Sequence, residues 1–193
     1  MRFTGGKAGG APLREISLHI LDLIENAVRA GAAVIAIAVE EEPEKDLLCI
    51  GVEDNGPGLP VSADIASDPF FTTKEGKKTG LGLSLMKFRT EQAGGTFRLE
   101  RSCLGGVAVR AVMPLSHVDR SPLGDLAATL ASVACTSPEV ELRCRLRVGE
   151  REWRVSTAEI ARRLPVGGRS EIVVARTMRE RIAEGLTDLR VTQ

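Results

Sequence analysis

Apolar residues recur every three or four positions along "PLREISLHILDLIENAVRAGA". Ile16, Ile20, Leu23, Ile24 and Ala27 share one side of a predicted helix, and Gly31 supplies its stop. The period then drops to two. "AVIAIAVEEE" predicts a strand, "EPEKD" a turn, and "LLCIGVED" a second strand apolar enough to lie inside a sheet. From Leu59 to Thr79 no period is sustained. "GLGLSLMKFRTEQAGG" predicts a helix that opens on glycines and closes at Gly94, and "TFRLERS" and "VAVRAVMP" predict strands joined across "CLGG". Further on, "LGDLAATLASVAC" predicts an amphipathic helix and "VELRCRLRVGEREWRVST" a hairpin. "STAEIARRL" predicts a short helix with a Ser/Thr cap and Glu159 behind it, and "SEIVVARTMRERIAEGL" a last helix.

Pro and polar residues in "LSHVDRSPLGD" mark a domain boundary. The expected division is a flexible leader over residues 1–12, a domain over 13–115, and a small α+β unit over 116–193. Composition changes this picture little. Acidic and basic residues balance at 26 each, so no global field recruits nucleic acid or an anionic membrane. No apolar run reaches the roughly 18 residues a membrane span needs, and the N-terminal stretch lacks the apolar core of a secretory signal. Cys49, Cys103, Cys135 and Cys144 have no paired CxxC spacing, which argues for plain thiols in a reducing cytoplasm. "GGKAGG" is not a phosphate loop, because Ala8 follows the lysine and no strand precedes it.

Four segments carry candidate chemistry. Asp22, Asn26 and Arg29 share one helix face at i, i+4 and i+7. A solvated polar stripe would look the same, but Asn is a poor mid-helix residue and its amide oxygen suits Mg²⁺ held mainly by water and phosphate. In "VEDNGPGLPV", Asp54 leaves a strand ahead of Gly56 and Gly58. This is either an Asn-Gly hairpin turn or a carboxylate able to accept from an exocyclic amine, with bare backbone for a flat base. No alternating partner strand follows at once. The long stretch after it holds "DPFFTTK", where Phe71 could anchor a loop and Lys74, with Lys77 and Lys78, could neutralise phosphates. "TGLGLSL" sets Gly80 and Gly82 at the mouth of a helix, where free N–H groups suit phosphate oxygens.

Taken together, "DLIENAVRAGA", "DNGPGL", "DPFFTTK" and "TGLGLSL" resemble the N, G1, F and G2 boxes of the GHKL superfamily. That superfamily comprises the ATP-binding domains of gyrase, heat-shock chaperone and mismatch-repair ATPases and of sensor histidine kinases. The resemblance covers about Leu13 to Pro114 and is nearest to histidine kinases. It implies a Bergerat α/β sandwich, an α+β two-layer fold to which the C-terminal α+β unit would be an extension. It further implies ATP and Mg²⁺ as cofactors. Asn26 would hold the ion, with Arg29 near the phosphates. Asp54 would read the adenine amine, Gly56 and Gly58 would line the base, and Gly80 and Gly82 would meet phosphate. Phe71, Lys74, Thr79 and Leu81 complete the implied nucleotide contacts.

Three departures shape the expected activity. Asp22 stands where histidine kinases carry Asn or His and hydrolysing members carry Glu, so it is the candidate catalytic base. Val107 replaces a Thr that supports the adenine site. In place of a phosphoacceptor hairpin there is only the short leader, while His19 lies inside the nucleotide helix and His117 in the linker. The expected function is therefore transfer of the γ-phosphate to a protein acceptor in trans. The alternatives are an ATP-dependent switch or clamp with slow hydrolysis, and a serine kinase of the anti-sigma-factor type. The expected partner is a protein, either acceptor or regulated target, with a second copy as a further option. Neither nucleic acid nor membrane is expected as a partner.

Overall fold

The alternation in "VIAIAVEEE" becomes strand β1 (Val34–Glu42), with Ile35, Ile37 and Val39 turned inward. A computed structural model of the chain describes residues 15–58, 81–165 and 170–193. Helix α1 (Ile16–Arg29) precedes β1, and β2 (Leu47–Asp54) pairs with it antiparallel. Then come α2 (Leu81–Gln92), β3 (Thr96–Arg101) and β4 (Val107–Pro114). The rest of the chain contributes α3 (Leu126–Thr136), β5 (Glu141–Val148), β6 (Arg151–Ser156), α4 (Thr157–Arg163) and α5 (Glu171–Leu189). Phe71, Lys74, Lys77, Lys78, Thr79, Gly80 and the leader over 1–12 lie outside the described residues, as does the side chain of Leu81.

The strands form one mixed sheet in the order β3-β4-β2-β1-β5-β6. Its inward face joins the helices in a single core, in which Ile20, Ile24, Ile37, Ile50, Leu130 and Leu146 are almost wholly hidden. This is the two-layer α/β sandwich that the four boxes imply. The segment from residue 116 onward supplies β5 and β6, and β5 runs parallel to β1 from Val34↔Glu141 to Glu41↔Val148. The linker is also fastened to α1, whose first-turn N–H groups at Ile16 and Ser17 donate to the carbonyls of Pro122 and Leu123, both at 2.9 Å. Both halves therefore share backbone hydrogen bonds and a core. Among the described residues no helix is long and apolar enough to cross a membrane.

Local chemistry sets the ends of these elements. Ser156 accepts from the Glu159 N–H at 3.1 Å and starts α4, and Asp125 accepts from the Ala128 N–H at 2.8 Å and starts α3. The arginines of β5 lie on the open face of the sheet beside acids: Arg147 donates to Glu40 and Glu42, Arg145 to Glu40, and Arg143 to Glu141. All four cysteines are free thiols, and burial pushes that of Cys144 up to about 12.

One acid faces inward. Glu41 is 2% exposed, and its carboxylate accepts from the Thr192 N–H at 2.8 Å and the Thr192 hydroxyl at 3.2 Å. A buried carboxylate stripped of its donors is costly, so Thr192→Pro is expected to lower stability by about 2–3 kcal/mol. The check is a urea titration, in which the midpoint falls and the slope is unchanged.

Candidate functional site

Helix α1 and its C-terminal cap present Leu23, Asn26, Ala27 and Ala30 toward the ends of β2 and β4. With Val52, Asp54, Pro57, Gly58, Leu83, Val107 and Val109 these residues line a cavity of about 190 Å³. Its walls are mostly aliphatic, and a carboxylate is set among them. A narrow apolar slot with one acceptor fits a planar heterocycle bearing an amine.

Asp54 is 9% exposed, and its orientation is fixed from two directions. Its Oδ1 accepts from the Gly56 N–H at 2.8 Å and from the Val107 N–H at 3.3 Å, while its carbonyl accepts from the Gly106 N–H at 3.1 Å. Among the described residues both side-chain bonds fall on Oδ1, so Oδ2 takes none. Gly106 has no room for a side chain. A Cβ there would run into Asp54 Oδ1 and come within 2.6 Å of the Gly56 nitrogen. The strand β4 thus reaches the turn through backbone alone.

Asn55 completes the arrangement. Its Oδ1 accepts from the N–H groups of Ala33 and Val34, each at 2.8 Å, and ties the turn after β2 to the start of β1. Sequence reasoning missed Asn55, Gly106 and the Val107 amide. In the sequence Asn55 looks like a hairpin former ahead of Gly56, and "CLGG" like a plain strand connection. Val107 was singled out for a lost hydroxyl, whereas its backbone N–H is what reaches Asp54.

On the opposite wall, Asn26 Oδ1 accepts from Arg29 Nη2, and Arg29 also lies 3.8 Å from Glu25. Among the described residues no group of three or more His, Cys, Asp or Glu could hold a metal ion. An ion beside Asn26 would therefore draw most of its ligands from phosphate and water, and a lone amide oxygen suits Mg²⁺ held in that way. Asp22, half-buried one turn earlier, meets the first turn of α2: a Cβ on Gly82 would stand 2.9 Å from the Asp22 Cβ. Glycine at 82 is what lets the two helices meet there. Asn26, Asp54 and Gly58 thus share the cavity, while Asp22, Arg29, Gly56 and Gly82 stand in direct contact with residues at its edge or along α1. A larger hollow of about 480 Å³ lies on the open sheet face, between Gly51 and Arg154. Its arginines at 143, 145 and 154 each have an acidic neighbour.

A family model described as histidine kinase-, DNA gyrase B- and HSP90-like ATPase matches residues 13–117. Among curated proteins, the chain is 41% identical to the sensor kinase CckA of Brucella abortus over 76 residues, covering 37% of this chain and 8% of that protein. It is 34% identical to the sensor protein CitS of Halalkalibacterium halodurans over 113 residues, covering 53% and 21%. It is 31% identical to the sensor histidine kinase CpxA of Escherichia coli over 100 residues, covering 49% and 21%. The matched part is thus about a fifth of each relative's length, or less. Among solved structures, the ATP binding domain of PrrB from Mycobacterium tuberculosis aligns with a TM-score of 0.39 and 28% identity, over 50% of this chain and 64% of that one.

Proposed function

Because this chain belongs to the histidine kinase-, DNA gyrase B- and HSP90-like ATPases, we propose that its cavity takes ATP with Mg²⁺ and that the γ-phosphate passes to a protein acceptor in trans. The observation that carries this reading is the Asp54 carboxylate, held by two backbone amides at an aliphatic slot with Asn26 across from it. Oδ2 is the acceptor for the adenine amine, and Val52, Val107 and Val109 exclude water from the base. Asn26 holds the ion, and Arg29 moves from the Asn26 amide to the phosphates. Lys74 and the glycines at 80 and 82 complete the phosphate contacts. When bound, Mg²⁺ draws charge from the phosphate oxygens and orients the triphosphate. Positioning and charge neutralisation supply most of the catalysis in such transfers. The reading includes a cytoplasmic setting; it also includes a signalling partner, which the sensor kinases among the relatives support.

A second reading rests on Asp22. This carboxylate stands against the first turn of α2, near where an outer phosphate would lie, and is suited to draw a proton from water. The output would then be slow hydrolysis that drives a conformational switch.

One experiment separates the two. The full chain is incubated with γ-labelled ATP and Mg²⁺, with and without cell extract. Label on an extract protein, acid-labile, alkali-stable and lost in Asn26→Ala, is the expected result. Label released as free phosphate without any acceptor, and reduced at least tenfold in Asp22→Asn, would replace transfer by the switch.

A further inference from the structure

Strand β6 lies at one end of the sheet and pairs only with β5. The hairpin turns over Gly149 and Glu150, with Val148 opposite Arg151 as its closing pair. The pair that closes a two-residue hairpin is hydrogen-bonded, and the pattern alternates from there. Arg151, Trp153 and Val155 therefore bond inward to β5. Glu152, Arg154 and Ser156 turn their backbone N–H and C=O groups outward. Among the described residues no backbone bond takes up the outward groups of Glu152 and Arg154. This is an open strand edge, the kind of surface that adds a further strand.

The side chains at this edge say which strand. Glu152 and Arg154 are both exposed and both project to the open face, away from α5. On the other face Trp153 is held by α5: the Arg181 guanidinium stands 4.6 Å from the ring, and a Cβ on Gly185 would lie 2.6 Å from it. Charged side chains are one of the devices that keep strand edges from pairing with copies of themselves. Here the two charged outward positions, Glu152 and Arg154, carry opposite signs two residues apart.

We propose that β6 is a self-association edge, on which a second copy of this chain adds its own β6 antiparallel about a two-fold axis at Trp153. Three centres set the two charged outward positions opposite themselves or each other. An axis at Glu152 sets that acid against its own copy, and an axis at Arg154 does the same with two guanidinium groups. An axis at Trp153 sets Glu152 opposite Arg154 of the copy and repeats the pair by symmetry. Opposite charges directly across an antiparallel pair attract and like charges repel, so charge alone selects the third register. The contact is self-complementary, as a two-fold dimer requires. It joins the two sheets through hydrogen bonds between the Glu152 and Arg154 backbones and leaves the Asp54 cavity, at the far side of β1, untouched.

The test uses the full chain and two variants, each checked for native circular dichroism. Glu152→Arg leaves Arg at both outward positions, and Arg154→Glu leaves Glu at both, so each repels its own copy. The parent chain is expected to sediment as a dimer at high micromolar concentration, and each variant alone to associate at least tenfold more weakly. An equimolar mixture of the two variants restores both opposite-charge pairings and is expected to regain the dimer. A parent chain that stays monomeric to millimolar concentration would overturn the proposal. So would a dimer indifferent to either substitution, or a mixture no more associated than its components.

Discussion

Asp54→Asn is expected to weaken ATP binding about a hundredfold while the protein stays folded. The substituted amide keeps an oxygen able to accept from the Gly56 and Val107 N–H groups, so the turn retains its anchors. What changes is the group facing the base. An NH₂ donor replaces the carboxylate oxygen and meets the donor amine of the purine. Losing a hydrogen bond to a charged acceptor and leaving two donors opposed removes about 2.7 kcal/mol, a factor of about one hundred in affinity. Titration calorimetry with ATP and Mg²⁺ reads the affinity, and a melt without nucleotide reads the fold. An unchanged dissociation constant would remove Asp54 from the site and with it the reading of the cavity.

A chain ended at residue 115, near the end of the family match, is expected not to fold. Its loss would strip β1 of its β5 partner along the whole strand and α1 of the carbonyls of Pro122 and Leu123. Leu126, Leu130, Leu142, Leu146, Met178 and Ile182, all buried, would go with it. Each such side chain contributes about 1.5–3 kcal/mol by burial, and whole domains are stable by only about 5–15 kcal/mol. The expected result is a non-cooperative thermal trace and aggregation. A cooperative melt from residues 1–115 would show that the first half stands alone.

Local periodicity was enough to read the elements themselves. The stripe from Ile16 to Ala27, the alternation in β1 and β2, and the hairpin before α4 were all legible, because each depends on neighbours a few residues apart. The sandwich was legible through the order of the four boxes. The continuation of the sheet through β5 was not, because a parallel pairing leaves no trace in either strand's own pattern: "ELRCRLRV" alternates the same way beside any partner. At the site, residue types exposed Asn26 and Asp54, whose side chains carry the chemistry. They could not expose Gly106 or the Val107 amide, which act through backbone. Glu41 escaped notice for a related reason, since an acid at the end of "AVEEE" looks solvated until Thr192 is seen beside it.

The β1–β5 pairing also dictates an order of events at birth. Glu40 and Arg145 meet across 105 positions of chain. Closing so long an interval is entropically slow compared with forming a hairpin such as β1–β2. During synthesis β1 and β2 leave the ribosome well before β5 exists, with one flank of β1 bare for the interval. That nascent flank is an unpaired strand edge of the kind that invites aggregation, and a chaperone that shields it until β5 emerges would favour correct pairing.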